Sequence, residues 1–379
     1  MNIYVIKTNS FLKPLEQKSY QTLVGNISLG DHLKKIAGKM KANLLYVDNW
    51  QCLKGSKKEE ECLVIDDDIF VSQELMEKFL KLARKNKKAV GVVLQNSLYT
   101  QRSLAVTQNV VQVNNLIAYN LFYFPKGVSI QEDIDLVIFP LCFNKEYIRM
   151  PEHMVVGGKY VVPITNQLIG RIDHWSNLWA MNVLYSLSGI YSLQTSWFQK
   201  IRGIIASGSL NQWDILRTIN KVDAYSDIHS RAYIEGSKIG KNVQIGAGSV
   251  IRSSIIGDNV TIGSNVVIES SVIGNDCTIL QGHIMYTVLY PRVFSFTQTV
   301  SASLIGADSF LGSGTVLTDF RFDDKTVSVF KNGRLRDTKS TFLGSCLSNR
   351  CYLGSGCVVA PGRCLPLDTK RVAPNLIKK

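Results

Sequence analysis

The chain has 379 residues, 45% of them hydrophobic, and a formal net charge of +13, a size and composition that allow two packed domains. No apolar run approaches the roughly 20 residues of a membrane-spanning helix, and Met1 to Ile6 followed by Lys7 lacks the layout of a secretory leader, so a cytoplasmic protein is expected. The positive balance favours anionic partners, but no helix-turn-helix, zinc-finger or aromatic-basic RNA motif is present, and phosphate-bearing small molecules suit the charge equally well. The eight cysteines include Cys346, Cys351, Cys357 and Cys364, a spacing unlike compact zinc patterns.

In residues 1–150, short runs rich in Val, Ile and Leu (Ile3–Ile6, Leu44–Val47, Cys62–Ile65 and Ala89–Leu94) read as buried strands. Leu29–Ala42 and Ser72–Asn86 lie between them with helical spacing, and the alternation predicts an α/β domain with a mostly parallel sheet. Ligands of such sheets sit beyond the strand C-termini. Two segments fall there: the loop from Lys7 to Lys18, with Lys13 and Lys18 as phosphate-binding candidates, and Asp66, Asp67 and Asp68 after the third strand. Acidic residues at a strand end can hold Mg²⁺ against substrate phosphates; three aspartates in an exposed turn are the plainer alternative. Further on, Ile172 to Asn177 leads into a helix, with Ser176 or Asn177 as its cap. A second helical stretch, about 199–219, reads as a connector, so the expected domains are 1–195, a connector over 196–223, and 224–379.

From Ile228 to Ile279 an aliphatic residue returns at 228, 234, 239, 245, 251, 256, 262, 268, 273 and 279, in steps of six with a recurring five. That period fits neither a strand nor a helix alone. It fits a left-handed parallel β-helix of hexapeptide repeats, each six-residue face turning one aliphatic residue inward and three faces making a coil of about eighteen residues. Ala232, Val243, Ser249, Val260, Val266 and Cys277 take the small corner slot four places on, and Cys351 and Cys357 fall in the same slot later. Gly240, Gly257 and Gly274, seventeen residues apart, follow inward residues and are expected to ease the backbone. The pattern resumes at Leu304 and runs to Leu365, with interruptions expected around 281–300 and 319–341. The second contains Asn332-Gly333 between β-prone runs, the signature of a tight hairpin.

The stretch Phe310 to Lys325, followed by Gly333 to Thr338, together with Val359 to Gly362, resembles the C-terminal half of the bifunctional sugar-1-phosphate nucleotidylyltransferase/acetyltransferase family, in particular its archaeal-type members. The resemblance implies an N-terminal nucleotidyltransferase-like domain, a β-helix acyltransferase using acetyl-CoA or another acyl-CoA, sugar phosphate or nucleotide substrates, Mg²⁺, and a homotrimer. It implies metal-ligand roles for Asp66, Asp67, Asp68 and Asp173, and a substrate role for Asn182. Pro14-Leu15 matches the family's N-terminal signature, whereas its phosphate-cradling glycines and its Pro-Lys pair are missing. Acyl transfer to a sugar amine needs a general base; the family's His aligns with Phe296, and its Asn with Asp319. His283 is then the candidate base, with a structural or surface histidine as the plainer alternative, and Asp319 is a further catalytic candidate; Arg321 is a substrate- or phosphate-binding candidate, and Arg363, Lys370 and Arg371 are cations for coenzyme A phosphates or a solvated tail end. His229, in the first coil, is expected to be exposed. Two readings follow: a sugar-nucleotide-related transferase, or a catalytically inactive ligand-binding or scaffold protein derived from that family.

Overall fold

A computed structural model describes residues 1–373 except 105, 107–110, 131–133, 156 and 324. The chain divides into two compact units, one comprising 1–12, 17–144 and 165–181, the other 13–16, 145–164 and 182–379.

In the first unit the strands of three residues or more are β1 (Asn2–Ile6), β2 (Asn43–Val47), β3 (Cys62–Asp66), β4 (Ile69–Val71), β5 (Val90–Gln95), β6 (Val111–Val113), β7 (Leu116–Phe124), β8 (Asp135–Ile138) and β9 (Ile169–Arg171). The main sheet runs β8-β5-β7-β3-β1-β2, with β6 paired to β7. β1 is parallel to both β2 and β3, but β7 lies antiparallel between β3 and β5. The sheet is therefore mixed, which corrects the mostly parallel expectation. Helices α1 (Leu29–Lys39) and α2 (Gln73–Asn86) start where Ser28 and Ser72 accept hydrogen bonds from the backbone N–H three residues on. A short helix α3 (Leu98–Ser103) follows β5. Ile3, Val5, Leu63, Val64 and Ile65 are almost wholly buried, as β-branched and leucine runs on central strands should be.

Helix α4 (Trp175–Thr195) begins not at Ser176 or Asn177 but after His174, whose Nδ1 accepts the Ser176 backbone N–H at 3.2 Å and meets the Ser176 hydroxyl at 2.8 Å. The imidazole thus does the capping that a shorter polar side chain was expected to do. Two further helices, α5 (Trp197–Ser207) and α6 (Gln212–Arg217), precede the first coil. Among the described residues no helix is long and apolar enough to cross a membrane.

From Lys221 to Arg371, outside residues 318–345, short strands stack in parallel, pairing with their counterparts one coil on, as in Ile228↔Ile245↔Ile262↔Ile279. These parallel sheets fit a left-handed β-helix. Its axis is filled by inward Ile, Val and Leu residues from Ile234 to Val359, with Cys277 and Cys351 buried among them and Cys357 half-buried at the edge. Residues 281–300 prove to be part of the prism, not an interruption. Ile279↔Ser295↔Leu311 is continuous register, and Ser295 holds an inward slot where the sequence shows no aliphatic residue. The second interruption is a hairpin, Ser328–Lys331 with Arg334–Asp337, turning on Asn332 and Gly333, both at positive φ.

One edge of the prism passes through the left-handed region at Asn242, Asn259, Asp276, Arg292, Asp308, Arg350 and Asp368, where Asn and Asp are the better tolerated side chains. Asn242 Nδ2 donates to Asn259 Oδ1 at 3.1 Å and Asn259 Nδ2 to Asp276 Oδ1 at 3.0 Å, tying coil to coil. Gly240, Gly257 and Gly274 are needed for a different reason from the one expected, since their φ values are not positive. A methyl group on Gly240 would lie 2.6 Å from the carbonyl carbon of Gly257 in the next coil. Close backbone approach, not freedom of φ, fixes glycine there.

Candidate functional site

In the first unit β1, β2 and β3 end together, with Ile6 in register with both Val47 and Asp66. The residues just beyond gather charge. Lys7 Nζ reaches Asp48 Oδ1 at 2.7 Å, and that partner raises the Lys7 pKa. Thr8 donates to Asp67 Oδ1 twice, from its backbone N–H at 3.0 Å and from its hydroxyl at 2.6 Å.

The aspartate triplet is not an exposed turn; all three side chains are buried. Antiparallel pairing of β9 on β4 sets Arg171 opposite Ile69, which brings its guanidinium 2.9 Å from Asp68 Oδ2 and 3.5 Å from Asp66 Oδ2. Asn120 on β7 donates to Asp66 Oδ2 at 2.6 Å. Burial pushes the Asp68 carboxyl up to about 7, with Arg171 acting against it, and burial likewise raises Asp66 against Asn120 and Arg171. Asp68 Oδ1 is buried with no hydrogen-bond partner among the described residues. The same strand turn brings Ile172 N onto Asp68 O at 2.8 Å, one residue before Asp173.

Carboxylate oxygens are the donors a Mg²⁺ ion takes, but this set does not fit one. Asp66 and Asp68 already share a buried arginine, Asp67 is held by Thr8, and among the described residues no three Asp, Glu, His or Cys groups converge to hold a metal ion. Lys18 is exposed in the same unit. In the second unit Lys13 is exposed and Asn182 is fully buried on α4.

A second cluster lies on one outer face of the β-helix. Glu235, Arg252 and Glu269 occupy the same position on three successive coils, seventeen residues apart. Arg252 Nε meets Glu235 Oε1 at 3.2 Å, and its Nη1 donates to Glu269 Oε1 at 3.1 Å. Tyr233 caps the row, its hydroxyl donating to Glu235 Oε2 at 2.6 Å, a bond that raises the Tyr233 pKa. On the next coil His283 pairs in register with Val267, two residues before Glu269. Its Nε2 crosses diagonally to Glu269 Oε2 at 3.0 Å. The His283 side chain is 39% exposed and that of Glu269 27%, so the pair opens to solvent at the imidazole end.

The tautomer in which Nε2–H donates to Glu269 leaves Nδ1 with a lone pair. A base whose second nitrogen is oriented by an anchored carboxylate is the arrangement general-base catalysis uses. Charge alternates along the row, Glu235 negative, Arg252 positive and Glu269 negative, so Glu269 is fixed from one side by Arg252 and from the other by His283.

Asp319 does not join this pair. Its Oδ2 accepts from the Ser301 hydroxyl at 2.6 Å, one coil beyond Met285, while His283 bonds to Glu269. Phe296 is half-exposed on the coil after His283. Arg321 closes on Asp323, with Nε to Oδ1 at 2.9 Å. Arg363, Lys370 and Arg371 are exposed in the last coils, with Lys370 over the Tyr352 ring. His229 is exposed in the first coil. Glu269, Arg252 and Arg171 were not singled out from the sequence. The first two carry a readable signal, the seventeen-residue recurrence of charge beside inward isoleucines; Arg171 carries none, being 103 positions from Asp68.

Comparison with known proteins meets the chain at this second cluster. Residues 214–288 match the family described as GlmU-like, C-terminal hexapeptide, a span that contains Glu235, Arg252, Glu269 and His283. No curated protein matches. A solved structure titled a hexapeptide transferase family protein from Anaplasma phagocytophilum is 22% identical, over 41% of this chain and 70% of its own, with a TM-score of 0.19.

Proposed function

We propose that the β-helix is an acyltransferase module that moves an acyl group from an acyl-CoA thioester to an amine or hydroxyl of a sugar phosphate or sugar nucleotide, with His283 as general base. The observation that carries the reading is the His283–Glu269 contact at 3.0 Å, with Glu269 anchored by Arg252. In the reaction the acceptor nitrogen or oxygen attacks the thioester carbonyl while His283 Nδ1 takes the acceptor's proton; the C–S bond then breaks and the thiolate leaves, recovering a proton from the imidazolium. Glu269 holds the ring orientation and stabilises the imidazolium as it forms. Arg363, Lys370 and Arg371 are proposed to meet coenzyme A phosphates, and a homotrimer belongs to the same proposal. Acetyl-CoA, if it is the donor, raises the melting midpoint by ligand linkage, corresponding to about 2.7 kcal/mol at a hundredfold excess over its dissociation constant. Absence of any shift with acetyl-CoA and longer acyl-CoAs would remove the reading.

A second reading concerns the first unit: a nucleotidyltransferase-like domain that binds ligand without transferring nucleotidyl groups. It is favoured by Arg171, which neutralises the aspartates that Mg²⁺ would need. UTP, CTP, dTTP and ATP tested with and without Mg²⁺ separate the cases; a shift that requires the metal would contradict it.

A further inference from the structure

Within the seventeen residues 197–213 of the second unit, six large apolar side chains are exposed: Trp197, Phe198, Ile201, Ile205, Leu210 and Trp213. Trp197 is 72% and Ile205 76% accessible, far more than isolated surface hydrophobics need be. Their placement on α5 is ordered. At about 100° per residue, Trp197, Ile201, Ile205 and Phe198 fall within an arc of roughly 100°. Lys200 lies about 60° beyond one edge of that arc and Arg202 about 40° beyond the other. Gly203, on the opposite side, is buried, and a methyl group there would come 2.7 Å from Ile215 Cγ2 of α6. The missing side chain lets α6 pack closely and fixes which face of α5 turns outward.

An apolar arc flanked on both sides by long cationic side chains is the pattern of a helix lying in the plane of a lipid interface. Aliphatic stems of Lys and Arg cover the arc's margins while their charges reach the headgroups. No acidic residue occurs between Trp197 and Trp213, and the whole chain carries +13. A second copy of the same face would bring Lys200 and Arg202 against their own counterparts, like charge on like charge. Anionic headgroups meet both cations with complementary charge.

We propose that the outward face of α5 seats this protein on the surface of a bilayer carrying anionic phospholipid. The helix lies on the membrane and does not cross it. Trp197, Phe198, Ile201 and Ile205 enter the headgroup–acyl boundary, and Lys200 and Arg202 bind phosphate.

The test is co-sedimentation of the full-length protein with vesicles of equal parts phosphatidylglycerol and phosphatidylcholine, and with vesicles of phosphatidylcholine alone. Binding to the anionic vesicles is expected, weakening as salt rises. Replacing Trp197 and Phe198 together by Ser should lower the apparent affinity at least about tenfold. Replacing Lys200 and Arg202 together by Gln should lower it roughly 25-fold, since each basic residue near an anionic surface contributes about fivefold. All four side chains are exposed, so the variants should keep the wild-type melting midpoint. No sedimentation of the wild type, or equal sedimentation of the Trp197→Ser/Phe198→Ser variant, would overturn the proposal. So would a lipid-free oligomer that light scattering shows to dissociate in that variant, which would assign the face to a second copy of the chain.

Discussion

Replacing Arg171 by Ala removes the one guanidinium shared by Asp66 and Asp68. Deleting one partner of a buried ion pair costs about 3–5 kcal/mol, because the remaining charge stays desolvated. The loss has a pH signature that a simple packing defect lacks. Burial lifts Asp68 from its ordinary 3.8 to about 7, and Arg171 opposes that rise for both Asp68 and Asp66. A carboxyl whose folded pKa lies above its unfolded value holds its proton more tightly when folded. Its contribution to stability is therefore most favourable below pH 3.8 and declines as pH rises through the window up to about 7. For Asp68 that decline is on the order of 4 kcal/mol. Without Arg171 both carboxyls rise further and retain their protons to higher pH. The deficit of Arg171→Ala should then be small at about pH 5 and clearly larger at about pH 8. Urea unfolding of wild type and variant at the two pH values, followed by far-ultraviolet circular dichroism, reads the difference directly. A deficit that is the same at both, or below about 1 kcal/mol at the higher pH, would refute the buried-pair account.

Other consequences can be checked in parallel. Ile268→Ala in the β-helix axis should lower unfolding stability by about 2–5 kcal/mol, since a fully buried side chain is replaced by a cavity, measured by urea denaturation. Gly257→Ala should cost about 1–3 kcal/mol, because the new methyl would lie 2.7 Å from the Asn275 backbone nitrogen. Gly333→Ala meets open space, and its cost of about 1 kcal/mol comes from φ alone, so its thermal shift should be the smaller of the two. Glu269→Gln should keep the fold yet lower acyl transfer, by less than removal of His283 does, as seen in steady-state rates at constant melting temperature.

The β-helix was legible because its core repeats: an inward isoleucine every five or six residues is a local signal that survives in one sequence. It failed at 281–300 for an equally local reason, since Ser295 takes an inward slot and the steps shorten to five on either side, as at Ile279, Ile284 and Leu289. The glycines were found but misread, because a sequence shows which residue lacks a side chain and not which neighbouring coil lies against it. The four strands and two helices expected in the first unit lie within a few residues of β1, β2, β3, β5, α1 and α2, while β4, β6, β7, β8, β9 and α3 were not foreseen, nor was the antiparallel entry of β7; strand direction depends on the route of the connection, not on the strand's own residues. At the candidate sites His283 could be named but its partner could not, although Glu269 stands fourteen positions before it. Arg171 was out of reach altogether, its contact with Asp68 depending on the β4–β9 pairing.

The central claim is that His283, oriented by Glu269, takes the acceptor's proton in acyl transfer. The measurement that bears on it most directly is coenzyme A release from acetyl-CoA in the presence of a panel of amino-sugar phosphates, comparing wild type with His283→Gln. The account predicts acceptor-dependent release by the wild type and a fall of about 10²–10⁴-fold in the variant, with acetyl-CoA binding unchanged. Release at the same rate in both proteins, or no acceptor-dependent release by the wild type with any member of the panel, would contradict it.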